Sequence, residues 1–123
     1  MDIPSFVAWI VLGLAGVLVV HELGHALMAL ALGAGDVRLR INVLALAAHV
    51  EATLASPRRV MAFFLAGPAA SLVFAAALVH VGGIGSLVGA LSGVFGCMTL
   101  FPVGSNDGAK ALAEWRADRR GTN

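Results

Sequence analysis

The chain has 123 residues, of which 59% are hydrophobic and 12% charged, with a formal net charge of +1 and a mean hydropathy of +0.92. Soluble domains carry about 25% charged residues, and a soluble core of this size cannot bury so much apolar surface, so the composition points to a polytopic membrane protein in contact with a lipid bilayer. No basic stripe of the kind that binds nucleic acid is present. The single cysteine, Cys97, rules out an intrachain disulfide and reads as a small buried apolar residue.

The first expected element is a helix over 4–32. Asp2 precedes it as a candidate cap and Pro4 stands in its first turn. It is long enough to span a bilayer with tilt. A secretory signal would need a basic n-region and a shorter apolar run, so this helix is expected to stay in the mature protein. Its only ionisable residues are His21, Glu22 and His25, set between the apolar runs 6–20 and 26–34. A charged group near the centre of a membrane helix costs about 2.5–3.5 kcal/mol, so such groups need partners or a use. His21 and His25 are four residues apart and share one helix face. Two imidazoles so placed can reach one metal ion, and Glu22 can hold a water beside it. This is the His-Glu-x-x-His arrangement of zinc hydrolases, with the glutamate as general base.

Glycine and turn chemistry at Gly33-Ala34-Gly35-Asp36 ends the helix. Val37, Leu39, Ile41 and Val43 then alternate with Arg38, Arg40 and Asn42, a period of two that predicts a strand. A weaker alternation around His49–Thr53 predicts a partner, so 37–53 reads as a small hairpin at the membrane interface. His49 and Glu51 read as solvated strand residues rather than a second metal site. Ser56-Pro57 opens a second helix, expected over 57–81, with Arg58 and Arg59 at the boundary and Pro68 well inside. His80 is expected at the interface.

Gly82-Gly83 turns the chain into a third helix over 84–101. Gly85, Gly89, Gly93 and Cys97 recur every four residues there. Such a small-residue face lets helices approach closely in lipid, and the partner is expected to be helix one. Pro102 breaks the helix, and an amphipathic helix is expected over 108–120, with Leu112 and Trp115 towards the interface. Asp107 reads by itself as the cap of that helix. No repeat or second domain is apparent, so 1–123 is read as one unit.

All eight Lys and Arg residues fall on the 34–59 segment and the C-terminal tail, which three spans put on one side. The positive-inside rule makes that side cytoplasmic and the N-terminus external. His21, His25 and Asp107 then converge on one depth.

These residues resemble the site-2 protease family of intramembrane zinc metalloproteases, over roughly Val20 to Ala113. His21-Glu22-Leu23-Gly24-His25-Ala26 is similar to the family's first motif. Ser56-Pro57-Arg58-Arg59 with Ala66-Gly67-Pro68 is similar to its second core helix, and Pro102 through Asp107-Gly108 to its third motif. The resemblance implies a mainly α, three-span core with a small hairpin, one zinc ion on His21, His25 and Asp107, and Glu22 as the catalytic base. It implies a transmembrane protein substrate held near Thr99 and Pro102 and along the strand edge at Leu39, Ile41 and Val43. Thr99 stands where the family often has Asn, Asn106 where it often has Leu, and Ser71 where it often has Asn. A multi-pass protein of a prokaryotic cell membrane, open to homo-oligomerisation, is the expectation. The rival readings are a metal-transporter component, which would use the same His and Asp residues as an ion path, and an inactive membrane scaffold.

Overall fold

The computed structural model describes residues 2–42 and 47–121. Its elements run α1 (Ile3–Ala31), β1 (Val37–Asn42), β2 (Ala47–Ala52), α2 (Pro57–Leu78), α3 (Gly83–Leu100) and α4 (Asp107–Gly121). The first three helices are each long and apolar enough to cross a membrane. Residues 43–46, including Val43 of the expected strand edge, lie outside the described residues.

Asp2 caps α1 by accepting from the Ser5 amide at 2.8 Å. Only Val17, His21, His25 and Ala29 are buried along its length. They recur every four residues and form a single stripe. The rest of its surface, including Leu12, Val19, Leu23, Leu27 and Leu30, is exposed and apolar, a patch far larger than a soluble monomer keeps uncovered.

That stripe meets α2 at close range. A Cβ on Gly24 would stand 2.5 Å from the Ala66 carbonyl oxygen and 2.6 Å from the Ala70 Cβ. No side chain larger than hydrogen fits there. The Arg59 guanidinium donates to the Leu32 carbonyl at 3.1 Å and Arg58 bonds Asp118 at 3.2 Å. The end of α1, the start of α2 and the body of α4 are thus tied together at the basic end.

The third helix corrects two expectations. Its small-residue face packs on α2, not α1: a Cβ on Gly89 would meet Val79 N at 2.9 Å and Ala75 O at 3.1 Å, and one on Gly96 would meet Pro68 O at 3.1 Å. Ser92, fully buried, donates to the Ser71 carbonyl at 2.9 Å across the same interface. A glycine stripe marks a close-packing face but carries no information about which helix covers it. Cys97 is exposed, because the line of fours drifts round the helix, whose pitch is 3.6 residues. Helix two also stops at Leu78, short of 81. Residues 79–81 form a turn in which the Ser86 hydroxyl donates to the Val79 carbonyl at 2.8 Å and accepts from the Gly82 amide at 3.1 Å.

The expected hairpin is present as an antiparallel pair with Leu39 opposite Val50 and Arg40 opposite His49. Its side chains sort cleanly. Val37, Leu39, Ile41, Ala48 and Val50 line an apolar groove of about 430 Å³ against Leu18, Val19, Leu23 and Ala26 of α1. Arg40 and Glu51 pair at 2.9 Å, and that hydrogen bond holds the Glu51 carboxyl below its usual value. His49 lies 3.4 Å from Glu51, both exposed, in keeping with solvated strand residues.

Candidate metal centre

His21, Glu22 and His25 form a group able to hold a metal ion, with one donor atom from each all within 4.8 Å of one another. Both histidines are only 4% exposed. Their outer ring nitrogens are fixed by α2. His25 Nδ1–H donates to the Phe63 carbonyl at 2.7 Å. His21 Nδ1 pairs with the fully buried Ser71 hydroxyl at 3.2 Å. A carbonyl only accepts, so the Phe63 bond sets the His25 tautomer and leaves the Nε2 lone pair facing inward.

What those inward nitrogens face is a carboxylate. Asp107 Oδ2 lies 2.9 Å from His21 Nε2 and 3.3 Å from His25 Nε2, and the two nitrogens are 3.3 Å apart. Asp107 Oδ2 and the His25 Nε2 lone pair are acceptors, while His21, whose Nδ1 faces a hydroxyl, can turn either an N–H or a lone pair inward. A neutral His21 donates that proton to Asp107; with the proton gone, one divalent ion satisfies all three atoms at once. Donors about 2.0–2.1 Å from a tetrahedral ion stand about 3.3 Å from one another, close to the sides of this triangle.

Gly67 of α2 faces the triangle, and a Cβ there would collide with His25 Nε2 and fall 2.8 Å from His21 Nε2. Two imidazoles and a carboxylate, with no side chain of α2 set between them, are a donor set that fits a metal.

Two carboxylates compete for the third ligand position, and distance decides between them. Asp107 Oδ2 is within 3.3 Å of both Nε2 atoms, while Glu22 Oε2 accepts a hydrogen bond from the Val50 amide at 2.8 Å. Asp107 is therefore the third ligand candidate, and Glu22 stands beside the centre. Burial disfavours the Asp107 charge, but the bonds to His21 and His25 outweigh it and hold the carboxyl well below the usual carboxylate range.

Asp107 is not the cap of α4, which corrects the reading made from its position alone. Asn106 caps that helix, accepting from the Ala109 amide at 3.0 Å. The Asn106 amide also donates to the Met98 carbonyl at 2.9 Å and to the Phe101 carbonyl at 2.5 Å, binding the end of α3 to the start of α4. Asp107 is thereby free to turn inward. Buried Gly108 lets the turn close, since any Cβ there would strike the Leu100 carbonyl.

A second cavity, of about 380 Å³, opens beside the centre and is lined by Glu22, His25, Val50, Phe63, Asp107 and Lys110 among others. Glu22 thus sits where this polar cavity and the apolar groove meet. Leu39 and Ile41, expected at a substrate-receiving strand edge, line the groove. Thr99 and Pro102 line neither space. The Thr99 hydroxyl donates back to Phe95 and Gly96 of its own helix, and Pro102 is exposed in the α3–α4 turn. The sequence gives no sign of what Phe63, Gly67 and Ser71 do at the site. The first acts through its carbonyl, which side-chain identity does not report. The Ala66-Gly67-Pro68 stretch was visible as a feature, but its contact with the histidines was not.

Comparison with protein-family models, with curated proteins and with solved structures finds no match to this chain.

Proposed function

We propose that this protein is a membrane-embedded metallopeptidase. More particularly, we read it as a zinc endopeptidase of the site-2 protease type, which cleaves transmembrane protein substrates in or near their spans. The observation that carries the reading is the convergence of His21 Nε2, His25 Nε2 and Asp107 Oδ2 in an apolar bundle, with a second carboxylate, Glu22, on the same helical turn. A structural site would close all four tetrahedral positions with protein ligands, whereas three protein ligands and one open position mark a catalytic one. The exposed apolar belt of α1 supports a bilayer setting.

When bound, zinc would supply the Lewis acid that polarises the attacking water and the scissile carbonyl. The chain's own residues do the rest. Glu22 accepts the proton of the attacking water and passes it to the leaving amine. Phe63 and Ser71 hold the imidazoles in register. The polar cavity gives water access to Glu22 and the apolar groove receives side chains of the substrate. The cleaved segment must leave its helix to expose a peptide bond, and the hairpin offers it strand pairing. Val50 donates away from its partner strand, to Glu22, so the outward amides left to a substrate are those of Val37, Leu39 and Ile41 on β1 and of Ala48 and Ala52 on β2.

The test is reconstitution with a single-span substrate in lipid. The reading expects chelator-sensitive cleavage by the wild-type protein and about 10²–10⁴-fold slower cleavage by Glu22→Gln with its metal still bound. Undiminished cleavage by that variant would remove Glu22 from the mechanism.

A further inference from the structure

The contact between Glu22 and the hairpin assigns a role to a backbone group. Glu22 Oε2 accepts the Val50 amide at 2.8 Å in a part-buried setting. The register makes this amide special. Thr53 donates to the Asp36 carbonyl at 3.2 Å, which marks that pair as hydrogen-bonded, so the alternation of an antiparallel ladder makes Leu39–Val50 a non-bonded pair. The Val50 N–H is thus not used by β1. It points at α1, where the only carboxylate on the facing turn is Glu22.

We infer that the Val50 amide is a positioning group that fixes the Glu22 carboxylate, so that the hairpin sets the orientation of the base; this rests on the peptidase reading above. A carboxylate on a two-carbon stem rotates freely unless one oxygen is held. With Oε2 taken by Val50, Oε1 remains to accept a proton. The Val50 side chain, meanwhile, lines the apolar groove. One residue therefore bears both on the base, through its amide, and on the substrate channel, through its side chain. A segment entering the groove presses on the same residue that orients the base.

Two substitutions separate the halves. Val50→Pro deletes the amide and removes no ladder bond. Val50→Ala keeps the amide and trims the side chain. Val50→Pro should lower kcat by about 100-fold, the scale of a misplaced catalytic group, with KM within twofold and zinc content unchanged. Val50→Ala should raise KM and keep kcat. Hydrogen exchange of the protein in lipid nanodiscs supplies a readout independent of catalysis. The Val50 amide should exchange at least tenfold faster in Glu22→Ala than in wild type and stay slow in Glu22→Gln, whose amide oxygen still accepts. The ladder amides of His49 and Glu51 should not change. Equal Val50 exchange in wild type and Glu22→Ala would overturn the contact, and a Val50→Pro variant with normal kcat, or one that loses zinc, would overturn the positioning role. Failure of the wild-type protein to cleave any single-span substrate would instead overturn the peptidase reading, and the exchange comparison separates the two failures.

Discussion

His25 of α1 donates its Nδ1 proton to the main-chain carbonyl of Phe63 on α2, at 2.7 Å. The bond joins α1 to its neighbour through a group that no side-chain substitution removes. It also fixes which imidazole nitrogen faces inward. A second such tie runs from His21 to the Ser71 hydroxyl, and this one can be deleted. Partners of this kind contribute about 10–100-fold to metal affinity. Ser71→Ala should therefore weaken zinc binding by that factor while Ser71→Thr, which keeps the hydroxyl, weakens it less; competition against a zinc indicator measures both.

Gly67→Ala separates helix stability from site geometry. Alanine favours a helix over glycine by about 1 kcal/mol, so α2 itself should not suffer. The added methyl would occupy the space between the two Nε2 atoms. The expected outcome is unchanged helical content by circular dichroism with zinc affinity reduced by an order of magnitude or more. Full zinc occupancy in Gly67→Ala would show that no ion sits at that position.

Much of this architecture can be read before folding. Alternation in Val37–Asn42 reveals the strand because successive strand side chains point to opposite faces, and the apolar runs reveal the three helices long enough to span a membrane. The spacing of His21 and His25 places them on one face by helix geometry alone. The third ligand candidate is different. Asp107 is more than eighty residues away, and local signals suit a cap as well as a ligand; in the structure Asn106 takes the cap and Asp107 turns to the histidines. The α2 side of the site is hidden for another reason. Phe63 works through its backbone and Gly67 through having no side chain, so neither leaves a chemical signature. The packing of α3 on α2 is hidden because a small-residue face fits any helix that approaches it.

Asn106→Ala should act at a distance on the metal. Loss of a cap costs about 1 kcal/mol, and here the same side chain also holds the end of α3. Thermal unfolding should shift down, and zinc affinity should fall because Asp107 loses its anchored turn. Asn106→Asp, which can still accept from Ala109, should restore part of the stability but not the donation to Met98 and Phe101.

Acid should destabilise the metal-free protein through Asp107. Its carboxyl is held below the ordinary value of about 3.9. A depressed acid stabilises the fold at pH above its unfolded value, and that contribution is lost as pH falls through the folded value. Wild-type metal-free protein should therefore lose stability as pH drops below about 4, and Asp107→Asn should lose less over the same window. Parallel curves for the two would show that Asp107 is not the group responsible.

The basic residues predict orientation. With Cys97, which is exposed, changed to Ser, single cysteines at Ser5→Cys and Ala117→Cys should label from opposite sides of a cell membrane, the latter from the cytoplasm. Labelling of both from one face would be incompatible with three spans.

The most direct test of the central claim measures zinc and cleavage on the same preparations of wild type, Asp107→Ala and Glu22→Gln. The account predicts about one zinc per chain in wild type with chelator-sensitive cleavage of a single-span substrate, loss of both in Asp107→Ala, and retained zinc without cleavage in Glu22→Gln. Wild-type protein that binds no zinc, or Glu22→Gln that cleaves as wild type does, would contradict it.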